Sequence, residues 1–129
     1  MMRRNRKGFT LVEIMIVVAI IALLAAIAIP NLLSAKKTAN QAAAKANIRA
    51  LSTAAEVYAT GNKGVYPTSV EVVPYIAAAA VLCGATVEGY TYDCTLMIAT
   101  GYTITATPTA SGGDKTYSVT NGGIITETP

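Results

Sequence analysis

The residues of this chain that could do chemistry are few, and the most informative of them lie at its beginning. Residues 7–13 read KGFTLVE and open an apolar run that reaches Pro30 with Glu13 as its one charge. A carboxylate in a lipid-facing helix costs about 2.5 kcal/mol or more, and acidic residues at such depth usually have a partner and a function. The natural partner of Glu13 is an amine, so the sequence points to an ion pair.

Gly8 and Phe9 can supply that amine if the chain is cut between them. Gly8 offers a processing enzyme an unencumbered backbone just before the apolar run begins. The new amino group on Phe9 would lie one helical turn from Glu13, and the amine of a neighbouring copy could come equally close. The alternative is that Glu13 rests at the headgroup level of a simple membrane anchor.

Cys83 and Cys94 are the only cysteines of the chain. An exported domain with a small core is where a disulfide is expected, and closing this loop contributes up to about 3 kcal/mol in the entropic model. A metal or redox role is disfavoured, because the sequence has no histidine and no Cys-x-x-Cys spacing. We therefore predict a disulfide between Cys83 and Cys94, no metal site and no cofactor.

The sequence gives no support for catalysis or for nucleic-acid binding. It lacks paired carboxylates in a recognisable motif, a phosphate-binding glycine loop and a nucleophile elbow. The formal net charge is +3, but residues 3–7 hold four of the ten cations, so the remainder carries a formal −1. The positive net charge therefore comes from these four residues, which indicate how the chain is oriented in a membrane. The remaining cations are scattered along the sequence and do not form a patch.

The elements that must position these residues begin with a membrane-length segment. Phe9 to Ile29 is long enough, at about 1.5 Å per helical residue, to cross a hydrocarbon layer of about 30 Å. Because the cations of residues 3–7 precede it, we expect the start of the chain inside the cell and the remainder outside. Pro30 predicts a bend near the membrane exit, since it removes a backbone hydrogen bond. Alternatively, Pro30 only marks where the span ends.

Beyond Pro30 the helical pattern continues and becomes amphipathic. Its apolar positions are Ile48, Leu51, Ala55 and Tyr58. They recur at helical spacing, and charged residues such as Glu56 are expected elsewhere around the axis. We predict one helix from about Phe9 to Thr60. Thr68 and Glu71 match the pattern of a capping box, which predicts a short helix, and a second short helix is predicted from Pro74 through Ala80.

From Glu88 onward the period of the pattern changes to two, which predicts three or four short antiparallel strands. The tyrosines at alternating positions are expected to pack the sheet, and the threonines indicate strand propensity first and O-linked sugars second. One face of the sheet should cover the inward side of the helix. The predicted fold class is α+β, with a long N-terminal helix and a small antiparallel sheet.

The N-terminal motif closely resembles the class III signal of type IV pilins and their pseudopilin relatives. In that family a prepilin peptidase cuts at the position of Gly8 and Phe9, the new Phe9 amine is N-methylated, and the carboxylate at Glu13 pairs with it during assembly. The resemblance implies a cleaved leader at 1–8, a membrane and filament-core helix at 9–30, an amphipathic helix at 31–60 and a globular region at 61–129.

Three functions remain open from the sequence. The resemblance implies a major type IV pilin, made in the bacterial inner membrane and built into a homo-oligomeric surface filament by an ATPase and a platform protein, for adhesion, twitching motility or DNA uptake. The second is a pseudopilin of a type II secretion system, although its usual calcium loop offers here Asp114 alone beside Ser111 and Thr116. The third is a singly anchored periplasmic binding module.

Overall fold

The computed structural model describes residues 8–76 and 82–129. The elements are a long helix α1 (Leu11–Gly61) and the strands β1 (Thr86–Val87), β2 (Tyr90–Ile98), β3 (Gly101–Pro108), β4 (Thr116–Thr120) and β5 (Ile124–Thr128). The strands form one antiparallel sheet in the order β1-β2-β3-β4-β5. The predicted α+β class is confirmed. The sheet has five strands rather than three or four, because β1 has only two residues and shows no period of its own.

The chain divides into two compact units, of which the first ends at Ala35 and the second comprises Lys36–Pro129. In the first unit, α1 begins at Leu11, two residues later than predicted, and continues through Pro30. The side chain of Asn31 donates a hydrogen bond to the Ile27 carbonyl over 3.2 Å, so part of the backbone near the proline bonds to a side chain. The bend at Pro30 stays a prediction.

The core of the second unit lies between α1 and one face of the sheet. From the helix, Ile48, Leu51 and Ala55 are completely buried, as their spacing predicts. Tyr58, the fourth predicted position, is half-buried and packs its ring against Tyr75 at a centroid distance of 5.3 Å. Burying a large apolar side chain contributes about 1.5–3 kcal/mol, so this face is what attaches the helix to the sheet.

The sheet contributes alternating side chains to the same core. Its inward residues are Tyr90, Tyr92, Cys94, Met97, Tyr102, Ile104, Ala106, Tyr117 and Val119. The predicted role of the strand tyrosines in packing is confirmed. Threonine and serine dominate the opposite face, where cross-strand partners include Thr103 with Thr120 and Thr105 with Ser118. This face is half-buried to exposed, which fits β-branched residues on a solvated sheet surface.

The segment between helix and sheet contains the predicted capping box and the disulfide. The carboxylate of Glu71 accepts hydrogen bonds from the backbone N–H and the hydroxyl of Thr68, each over 2.8 Å. A turn rather than a helix follows, and most of the second predicted helix (Pro74 through Ala80) lies outside the described residues. Cys83 and Cys94 are joined with an S–S distance of 2.01 Å, so the predicted disulfide is present.

Candidate assembly site at the N-terminal segment

Gly8 and Phe9 lie just before α1, in backbone that is neither helix nor strand. A side chain at Gly8 would meet no atom within 4 Å, and Phe9 is 83% exposed. An enzyme could therefore reach the peptide bond between them without unwinding the helix. The basic leader residues 1–7 lie outside the described residues, and cleavage and methylation stay predictions.

Glu13 has an intrachain partner, Thr10, that was not predicted from the sequence. Its Oε2 accepts hydrogen bonds from the Thr10 backbone N–H over 2.8 Å and from the Thr10 hydroxyl over 2.7 Å. The Glu13 N–H donates back to the Thr10 Oγ1 over 3.3 Å. This is a capping box at the start of α1, which satisfies backbone donors that the first helical turn leaves free.

The capping box changes the interpretation of Glu13. From the sequence, the Glu13 carboxylate was predicted to lack a partner until an amine arrives, whereas Thr10 already donates two hydrogen bonds to one of its oxygens. The signal was present in the sequence as Thr10-x-x-Glu13, the same pattern that predicts the box at Thr68 and Glu71. The other oxygen, Oε1, accepts no hydrogen bond from the described residues and is available to a further donor.

The surface around this site is largely apolar along the described residues from Phe9 to Leu33. The large apolar side chains from Phe9 to Leu33 are between 50% and 83% exposed. Within the described part of the chain, α1 is the helix long and apolar enough to cross a membrane, and its apolar stretch is near the N-terminus. A continuous apolar surface of this size must be covered by lipid or by other protein.

A second carboxylate, Glu56, was wrongly predicted to lie away from the packed face of α1. It is half-buried and accepts hydrogen bonds from the Tyr102 hydroxyl over 2.9 Å, the Gly122 N–H over 2.7 Å and the Tyr66 hydroxyl over 3.2 Å. The pKa of Tyr102 is raised to about 12, chiefly by burial and also by Glu56, although the hydrogen bond with Ser52 lowers it. Glu56 thus joins the helix to β3 and to the turn before β5.

Three lysines and two acids of the second unit form ion pairs. Asp114 pairs with Lys37 at 2.7 Å, and Glu127 accepts from both Lys45 and Lys115, at 2.5 Å and 3.0 Å. Residues 8–76 and 82–129 contain no cluster of three or more histidine, cysteine, aspartate or glutamate residues that could hold a metal ion. The one acid of the late loop is therefore already occupied by a lysine.

Comparison with known proteins addresses the N-terminal segment directly. Residues 3–29 match the family model of the prokaryotic N-terminal methylation motif. The chain carries a type IV prepilin signal. The match begins in the basic leader and covers Gly8, Phe9, Thr10 and Glu13, the residues of the site described above.

Three relatives of the chain match it over part of its length. The type IV wide pilus major component PilA4 of Thermus thermophilus is 70% identical over 37 residues, which are 29% of this chain and 28% of that protein. The type IV major pilin PilA of Myxococcus xanthus is 61% identical over 51 residues, 40% of this chain and 23% of that protein. The type II secretion system core protein G of Aeromonas hydrophila is 41% identical over 69 residues, 54% of this chain and 48% of that protein.

The prepilin signal and these matches relate the chain to type IV pilins and to type II secretion pseudopilins. The matched stretch covers less than half the length of each of these three relatives. Together with the apolar start of α1, the matches indicate a membrane-anchored precursor. The helix-and-sheet architecture is pilin-like as well.

Proposed function

We propose that this chain is a structural subunit that polymerises through its N-terminal helix. A prepilin peptidase cuts between Gly8 and Phe9 and N-methylates the new Phe9 amine. The processed subunit then leaves the inner membrane and joins a helical filament, driven by an assembly ATPase and a platform protein. The chain is a substrate of enzymes rather than an enzyme.

The observation that carries this proposal is the exposed apolar surface of the first unit next to a prepilin signal. Each large apolar side chain that moves from lipid or water into a bundle of helices gains packing contacts, and burial from water contributes about 25 cal/mol per Å². Repeated contacts between two different surfaces of the same chain extend as an open helical filament when the rotation between copies does not close a ring.

The geometry at Glu13 supports an ion pair in the assembled state. Thr10 occupies Oε2, which holds the carboxylate in place at the start of the helix and leaves Oε1 for a second partner. A positively charged Phe9 amine is such a partner, and a charge-assisted bond is about twice as strong as a neutral one. Thr10 thereby positions Glu13 for an amine from a neighbouring copy.

A major type IV pilin is the leading form of this proposal, with a surface fibre that serves adhesion, twitching motility or DNA uptake. The high identity to two pilins supports it, at 70% and 61% over short stretches. A pseudopilin is the second form, because the match to core protein G extends over 69 residues. The ion pair of Asp114 with Lys37 weighs against the calcium loop that major pseudopilins usually have. A monomeric binding module would give no reason for the prepilin signal.

The test compares Glu13→Ala with Glu13→Gln in cells that express the full chain. Glutamine keeps the capping box but removes the charge, whereas alanine removes both. We expect both variants to be cleaved after Gly8, as mass spectrometry of the N-terminal peptide would show, and to stay in the inner membrane with few fibres in sheared surface material.

Abundant normal fibres from Glu13→Gln would contradict the ion pair. A wild-type chain that stays uncleaved and monomeric in the membrane would contradict the whole proposal. Electron microscopy of the wild type separates the two forms. Long sheared fibres that begin at methylated Phe9 indicate a pilin, whereas processed protein confined to the cell envelope indicates a pseudopilin.

A further inference from the structure

Two charged residues of the second unit adopt a backbone conformation that glycine normally supplies. Lys63 has a φ of 55° and Glu88 a φ of 51°, and they are the two non-glycine residues with positive φ in the described ranges. This left-handed region is uncommon for residues with a side chain beyond asparagine, aspartate and histidine. A lysine and a glutamate at positions that favour glycine indicate that their charged side chains have a functional role.

Lys63 lies in the turn that follows the C-terminal end of α1. The Gly64 N–H donates to the Ala59 carbonyl over 2.8 Å, which is the long hydrogen bond of a Schellman motif. Lys63 therefore holds the position of that motif where glycine is usual. A cation there also favours the helix dipole, which gives it one local role. Among the described residues its ammonium forms no ion pair.

Glu88 lies at the first position of a two-residue hairpin turn between β1 and β2. Val87 pairs with Tyr90 across the turn, and Gly89 has a φ of 78°. Positive φ at both turn residues defines a type I′ turn, in which asparagine, aspartate or glycine is favoured. The Gly89 carbonyl accepts from the Thr109 N–H over 2.8 Å and from its hydroxyl over 2.9 Å, so the turn is held in place.

Glu88 is exposed and has no cation partner in the part of the chain that the structure describes. Nothing local explains its charge, because no described helix ends at this turn. Its position also differs from that of the other acids of the second unit. Asp114 and Glu127 pair with lysines, whereas Glu56, Glu71 and Asp93 accept hydrogen bonds within the unit.

The two residues lie at opposite ends of the second unit. Gly89, next to Glu88, comes so close to the side chain of Asn40 that a Cβ on it would lie 3.2 Å from the Asn40 Nδ2. Lys63 comes two residues after Gly61, the last residue of α1. The stretch of helix between Asn40 and Gly61 is about 32 Å long at about 1.5 Å per residue. A cation and an anion thus mark the two ends of one rigid unit.

We propose that Lys63 of one copy pairs with Glu88 of a second copy in a head-to-tail contact. The inference rests on the proposed function, because parallel copies in a filament present opposite ends to each other. Val65 and Ile98, which are 47% and 58% exposed, lie at the Lys63 end, where the Tyr66 N–H donates to the Ala99 carbonyl over 3.1 Å. The contact would cover them. Because the contact joins two different surfaces, it can repeat from copy to copy along an open helical filament.

Charge reversal in the full chain tests this pairing against a role in folding. Lys63→Glu and Glu88→Lys should each lower the yield of sheared fibres about tenfold, because like charges then meet at every contact. The double variant, Lys63→Glu with Glu88→Lys, should restore the wild-type yield. Asparagine tolerates the left-handed backbone, so Lys63→Asn removes only the charge. Its fibre yield should fall below that of the wild type at low salt and differ less at high salt, because salt already screens the wild-type ion pair.

The inference would be overturned if both single reversals gave the wild-type yield of fibres, or if the double variant did not restore a lost yield. Fibres formed by the wild type would still support the proposed function in either case. A second measurement does not depend on fibre yield. Oxidation of cells that express Lys63→Cys with Glu88→Cys should give a ladder of covalent multimers, and neither single cysteine variant should. Absence of the ladder would equally reject the pairing.

Discussion

Glu56 should be the most sensitive single carboxylate of the second unit. It accepts two short hydrogen bonds, from the Tyr102 hydroxyl at 2.9 Å and from the Gly122 N–H at 2.7 Å. Hydrogen bonds to a charged group contribute about 1.5–3 kcal/mol each. Tyr102 keeps its bond to Ser52 at 2.8 Å, and water can reach the turn at Gly122, so the lower end applies. Glu56→Ala should therefore lower the free energy of unfolding by about 3 kcal/mol.

Glu56→Gln keeps an acceptor of the same shape and should cost about 1 kcal/mol, which separates lost bonds from lost charge. For a domain of this size, each 1 kcal/mol shifts Tm by roughly 4–8 °C, so the alanine variant should melt at least about 12 °C lower. Near-UV circular dichroism of the full chain in detergent can follow this, because all seven tyrosines lie in residues 58–117 and there is no tryptophan.

The control for Glu56 is Glu88→Gln, which removes an exposed carboxylate that has no ion pair among the described residues. Its melting temperature should stay at the wild-type value. If Glu56→Ala melts within about 4 °C of the wild type, a change worth about 1 kcal/mol or less, Glu56 does not hold β3 and the β4–β5 turn to the helix.

Two further predictions concern the disulfide and the ion pairs of Glu127 in the second unit. Cys94→Ser, or reduction of the disulfide, should lower the free energy of unfolding by up to about 3 kcal/mol without changing cleavage after Gly8. An unchanged Tm would show that the disulfide does not contribute to stability. Bonds from Lys45 and Lys115 lower the pKa of Glu127. Its contribution to stability is therefore present above the unfolded pKa of about 4.3 and is lost as the pH falls through the folded value. When Tm is measured as the pH is lowered, it should fall less in Glu127→Gln than in the wild type. Identical curves of Tm against pH would contradict this prediction.

Periodicity predicted the parts of the fold in which burial follows one repeating pattern. Ile48, Leu51 and Ala55 recur at helical spacing and are buried, and the strand tyrosines recur at period two and are buried. The same reasoning failed for Glu56, because a helical pattern separates apolar from charged residues and does not show when tyrosine hydroxyls and a backbone N–H gather around a carboxylate. It also missed β1, whose two residues owe their pairing to the Glu88-Gly89 turn.

The candidate site was predictable in its residues but not in its geometry. Gly8, Phe9 and Glu13 stand out in the sequence because a carboxylate interrupts an apolar run. The hydrogen bonds between Thr10 and Glu13 follow from local backbone geometry at the start of the helix, which the capping pattern Thr-x-x-Glu encodes. Lys63 and Glu88 could not be singled out, since only the backbone angles distinguish them from other exposed charges.

The order β1-β2-β3-β4-β5 means that every strand pairs with its neighbour in the sequence. Each hairpin can close over a short loop, so the sheet should assemble quickly in chain order as its residues become available. The slow, entropically expensive step is then the docking of α1, whose buried residues lie tens of positions earlier. In a chain tethered by its own helix beside a membrane, that helix is already formed and fixed nearby. The tether thus shortens the search that the completed sheet must make.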